Sequence, residues 1–205
     1  MQRHEYYKQM KELARKTRTT HGVVTAAFGL REMRRIYKDE GIKLDLWPHK
    51  MKKIRAAYFI EDDRAYVLLK KMKPVEPRLF SLAHELKHHL VDQELARTRR
   101  LECAADFSSR SPVEIGAEVF AAEFLFPEED FVTWADTHLK SRPCGIDDVV
   151  RLKRACPAKV SYAFLVKRLE RLQYAPEGAF KGVKFQNHEY RMFGLPFYLR
   201  YRRRK

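Results

Sequence analysis

Cysteine is scarce in this chain and poorly placed for cross-linking. Three are present in 205 residues (Cys103, Cys144 and Cys156), and no two form a C-x-x-C pair. An odd count leaves one unpaired, which argues against a disulfide framework and for a reducing compartment. Long apolar runs are also missing, so no transmembrane helix is expected. The opening residues, Met1-Gln2-Arg3-His4-Glu5-Tyr6-Tyr7, lack the apolar stretch of a secretory signal. A cytoplasmic protein without membrane partners is therefore expected. Internal repeats and low-complexity tracts are absent as well, which excludes solenoids and arrays.

What is present is a globular composition, 45% apolar and 12% aromatic, with a formal charge of +15. A chain of this size can bury a real core. The positive charge suits either a solvated basic surface or contact with a polyanion such as nucleic acid. Part of it is concentrated in residues 181–205, which hold eight Lys or Arg against one Glu.

Periodicity predicts helices over 2–18 and 23–40, with Gly41 as a stop. Residues 54–60 and 65–69 are β-prone and flank Glu61-Asp62-Asp63-Arg64, the pattern of a hairpin. Leu44-Asp45-Leu46-Trp47 adds a third strand. A helix is expected over 77–91, with Pro77 at its first position. After a loop at 108–112, another runs over 113–126 and stops at Pro127. Two more follow at 147–155 and 161–173, a helix-turn-helix-like pair with Arg151, Lys153, Arg154, Lys167, Arg168 and Arg171 nearby. The expected architecture is α+β and mostly helical, with a small antiparallel sheet or hairpin. Its divisions are a catalytic domain over 1–135, the helix-turn-helix-like segment over 136–176, and a basic tail over 177–205.

The 77–91 helix contains His84-Glu85-Leu86-Lys87-His88, an H-E-x-x-H pattern. Histidines four apart lie on one helix face, so both imidazoles reach one ion. The glutamate between them is placed to act as general base on a water held there. At about 100° per residue, Leu79, Leu82, Leu86 and Leu90 form a stripe roughly opposite the histidines. That arrangement predicts a helix packed on one side and lining a cleft on the other.

A catalytic zinc ion needs a third protein ligand. Glu114, Glu118 and Glu123 are the candidates on the 113–126 helix, and helical spacing sets Glu123 nearly opposite Glu114. Gly116, Ala117 and Ala121 are small enough to let this helix approach the histidine helix. One of Glu114 and Glu118 would bind metal and the other orient a ligand; spacing alone leaves the two equal. An extended substrate would then pair with an edge of the 54–69 hairpin.

Two stretches, Phe80-Ser81-Leu82-Ala83-His84-Glu85-Leu86-Lys87-His88-His89-Leu90 and Phe120-Ala121-Ala122-Glu123-Phe124-Leu125-Phe126-Pro127, resemble the ImmA/IrrE zinc metallopeptidases. That resemblance implies a zincin-like catalytic domain with a gluzincin-like H-E-x-x-H…E site holding one zinc ion. Its third ligand would be the glutamate nine residues before Glu123, which is Glu114. Glu118 departs from the asparagine often found there and remains an alternative ligand or an added carboxylate. The resemblance also implies the substrate class: a cognate helix-turn-helix repressor, cut in a stress or mobile-element response.

Overall fold

A computed structural model describes residues 3–47, 54–71, 74–98, 101–104 and 111–195. The chain is mostly helical with one small sheet. It divides into two compact units, residues 1–130 with 157–159, and residues 131–156 with 160–205.

The first unit opens with α1 (Arg3–Thr20), which ends at Gly22 in a left-handed turn (φ +63°). The Val23 amide bonds back to the Arg18 carbonyl at 2.8 Å, closing that helix end. Helix α2 occupies only Leu30–Asp39, although the sequence pattern predicts a start at residue 23. Val23, Val24 and Thr25 are β-branched and stiff, so they favour an extended path. The buried Arg18 guanidinium holds that path by donating to the Thr25 carbonyl at 3.0 Å. The helix then begins after Gly29, whose amide donates to the Glu32 carboxylate at 2.8 Å.

Strands β1 (Lys43–Trp47), β2 (Ile54–Glu61), β3 (Arg64–Lys70) and β4 (Leu101–Ala104) form a sheet in the order β1-β3-β2-β4. β2 and β3 are the expected hairpin. Asp62 and Asp63 sit at its tip with φ of 49° and 58°, the left-handed pair that a two-residue hairpin turn requires. β1 joins β3 in parallel, which makes the sheet mixed rather than wholly antiparallel. β4 closes the far side against β2. The hairpin is therefore flanked on both sides, and the sheet's edge strands are β1 and β4. The hairpin edge expected to receive substrate is thus covered by β4 over Ile54–Tyr58.

Helix α3 (Val75–Val91) crosses this sheet, and the short α4 (Gln93–Thr98) leads from it to β4. Helix α5 (Pro112–Leu125) packs against both α1 and α3. The Ser111 hydroxyl accepts the Glu114 amide at 3.3 Å and caps α5, and Pro112 takes the first helical position rather than the last of the predicted loop. Ser108, Ser109 and Arg110 of the predicted loop lie outside the described residues. Gly116 meets α1 rather than the histidine helix: a Cβ there would lie 2.7 Å from Tyr6 ring carbons. Ala117 and Ala121 are fully buried.

Proline 127 ends α5, but a further helix, α6 (Glu128–His138), starts at the next residue. Glu123, 1% exposed, joins the two helices, accepting the Glu128 amide at 3.1 Å and Arg15 Nε at 2.9 Å. The second unit carries α7 (Ile146–Ala155), α8 (Tyr162–Arg171) and α9 (Phe185–Phe193). The last lies within the segment expected to be a tail; residues 196–205 are outside the described range. Tyr162 fixes α9 by stacking on Phe185 at 4.9 Å and donating to Glu189 at 2.9 Å. Among the described residues no helix is long and apolar enough to cross a membrane.

Candidate metal centre

Helix α3 begins at Val75, two residues before the predicted start, so Pro77 lies third in its first turn. Proline costs little there because the first amides of a helix have no intrahelical partner. Three leucines of the stripe face inward as expected, Leu79, Leu82 and Leu86 being no more than 1% exposed, while Leu90 is only half-buried. The opposite face differs from the expectation. Every residue from Ser81 to His89 is buried, including His84 (3%), Glu85 (0%) and His88 (0%). The sheet covers one side of the helix and α5 covers the other. The histidines are therefore buried between these elements, with Glu114 only partly exposed beside them.

Glu114 reaches the histidines from the first turn of α5. Its Oε2 lies 3.0 Å from His84 Nε2, and its Oε1 lies 3.5 Å from His88 Nε2. A glutamate in a first turn is often explained by the helix dipole alone. Here the carboxylate is directed at two imidazoles instead. Ligand atoms of His84, His88 and Glu114 lie within 4.8 Å of one another, the group among the described residues that could hold an ion. Glu118, half-buried one turn further on, is not part of that group.

The electrostatics follow from burial and contact. Burial pushes the Glu114 carboxyl up, but hydrogen bonds and charge from His84 and His88 overcome it and hold it at about 2. Burial pushes His88 down, yet hydrogen bonds to Asp92 and Glu114 and the charge of Glu85 raise it to about 9. For His84 burial wins, and the imidazole is lowered.

Asp92, just past the end of α3, is a residue that sequence reasoning missed. Its Oδ2 accepts from His88 Nδ1 at 2.7 Å and from Lys87 Nζ at 2.6 Å. The i,i+4 spacing from His88 was the available signal. With Nδ1 bonded to Asp92, the buried His88 Nε2 is left with only a long 3.5 Å contact to Glu114 Oε1. A buried imidazole nitrogen held at that distance from a carboxylate leaves a gap that a divalent cation would fill. The donor set, two imidazoles and one carboxylate, suits zinc with a fourth position open. His89 lies on the other side of the helix, with its Nδ1 3.1 Å from Tyr58 Oη and its Nε2 3.7 Å from Glu40.

The family model Peptidase_M78, the IrrE N-terminal-like domain, matches residues 38–170. The chain belongs to this family. Peptidase_M78 membership supports a metallopeptidase-type activity, and the matched range contains the whole candidate metal centre. Helix α1 and most of α2 precede it. A search of curated proteins returned no match.

Proposed function

We propose that this chain is a zinc-dependent endopeptidase, with His84, His88 and Glu114 as metal ligands and Glu85 as the catalytic base. The observation that carries the reading is the convergence of the ligand atoms of His84, His88 and Glu114 within 4.8 Å of one another. Bound there, zinc would lower the pKa of a water toward 7 and polarise the scissile carbonyl. Glu85 accepts the proton of the attacking water and passes it to the leaving amine. Complete burial of Glu85 keeps that proton transfer away from bulk solvent. Asp92 fixes the His88 tautomer, and the α5 cap at Ser111 fixes the turn that carries Glu114.

Glu85→Gln removes the base but no ligand. We expect cleavage to fall by ~10²–10⁴-fold with zinc still bound; retained cleavage would sink the mechanism. Glu114→Ala should instead lower the zinc content of the purified protein, and a fully loaded variant would transfer the ligand role to Glu118.

Resemblance to the family supports, as substrate and setting, a helix-turn-helix repressor cleaved in the cytoplasm during a stress or mobile-element response. Incubating the repressor encoded beside this gene with the wild-type and Glu85→Gln proteins tests that assignment. Wild-type-only fragmentation supports it, and an intact repressor in both rejects that substrate.

A second reading makes the chain a DNA-binding regulator through α7 and α8, with the metal centre structural or sensory. Arg151, Lys167 and Arg171 are exposed on these helices, which favours it. Arg154 is exposed as well, 4.3 Å from the Phe193 ring, whereas Arg168 is buried against Phe131 and Phe164. Salt-dependent binding with sequence preference would support this reading, and no binding at low salt removes it.

A further inference from the structure

Lys87 lies inside the H-E-x-x-H pentapeptide, yet zinc peptidase chemistry asks nothing of that position. It is fully buried. A lysine is almost never enclosed unless it is paired and hydrogen-bonded. Its Nζ donates to Asp92 Oδ2 at 2.6 Å and to the Val113 carbonyl at 3.0 Å. Both partners adjoin the candidate ligands. Asp92 accepts from His88 Nδ1 at 2.7 Å, and Val113 immediately precedes Glu114. One ammonium thus grips the carboxylate that orients His88 and the peptide that leads into Glu114. These two ligands come from different helices, and His88 Nε2 faces Glu114 Oε1 across 3.5 Å.

We propose that the buried Lys87 and the half-buried Asp92 form a clamp that sets the position of His88 relative to Glu114 and thereby determines how tightly the centre binds its metal. This inference rests on the metal-site reading above. The clamp also completes the charge of the centre. Glu85, Glu114 and Asp92 supply three carboxylates, Lys87 one ammonium, and a divalent cation brings the sum to neutrality. Both are positioning residues, since neither is a ligand itself.

A purely structural role makes a different prediction. Buried ion pairs replaced by neutral residues of similar volume often leave stability unchanged or improved. Stability and metal affinity should therefore separate in the double variant Lys87→Met/Asp92→Asn. The measurements are zinc dissociation constants of the full chain by chelator competition, visible spectra of the cobalt-substituted protein, and unfolding of the metal-free protein. Asp92→Ala should bind zinc ~10–100-fold more weakly and shift the cobalt bands. The double variant should unfold like the wild type when metal-free, yet also bind zinc more weakly. Wild-type affinity in either folded variant overturns the clamp, and the double variant alone decides if Asp92→Ala does not fold. Wild-type protein that binds no zinc, or binds it equally after His84→Ala, defeats the metal-site reading instead.

Discussion

Single residues carry most of the chemistry. His84 and His88 were legible because their spacing fixes their shared helix face whatever surrounds it. Glu114 and Glu118 were not separable by spacing, since the turn geometry of α5 depends on a cap and on packing against α3. Lys87 was illegible for a plainer reason. A lysine in a sequence reads as solvent-facing, and its burial becomes tolerable only through Asp92 and the carbonyl of Val113, 26 residues away. The proton balance of the centre follows from the same contacts. His88, raised to about 9, is charged at neutral pH in the metal-free protein. Zinc requires its neutral form, so binding at pH 7 should release about one proton. Affinity should then rise roughly tenfold per pH unit and level off above pH 9. Calorimetry in buffers of different ionisation enthalpy measures the release, and a release of zero would show that His88 is already neutral in the metal-free protein.

At the scale of elements, legibility followed the strength of the local signal. α1, α3, α5, α7 and α8 have apolar periodicity, and the hairpin has two β-prone runs around an Asp-Asp turn. α6 was hidden because Pro127 reads as an end, although the acidic run Glu128-Glu129-Asp130 is a helix opening. β4 is short and gains its identity only by pairing with β2, a long-range partner no window contains. α9 is held by Tyr162 from another helix, so a basic composition masked it. The close approach of α1 to α5 at Gly116 yields a test at this scale. Alanine normally favours a helix over glycine, but here its methyl meets the Tyr6 ring. Gly116→Ala should destabilise by about 1–3 kcal/mol in urea melts. In a Tyr6→Ala background the same change should become neutral or stabilising. A stabilising effect in the wild-type background would show that the ring moves aside freely.

For the whole molecule, the count of 42 Lys and Arg overstates the number of cations that face solvent. Arg18 donates to the Phe124 carbonyl at 2.6 Å, Lys87 binds Asp92, and Arg168 is enclosed, so these cations act as internal fasteners. Charge counted from the sequence cannot separate such groups from those facing a polyanion, because burial is a property of the fold. The two compact units also escape linear reading: residues 157–159 belong with the first although the chain has already entered the second.

The enclosure of α3 also governs how the protein opens. Its helix is bounded by the sheet and by α5, so no small local fluctuation bares the amides between Ser81 and His89. Hydrogen exchange there should proceed only by cooperative unfolding of the first unit, with protection equal to the global free energy of that unit. Amides of α4 and of the exposed β1 should exchange far earlier. Exchange of the pentapeptide on the timescale of β1 would refute this. If it holds, deuterium uptake at one peptide of α3 becomes a direct gauge of how much any bound ion strengthens the whole unit.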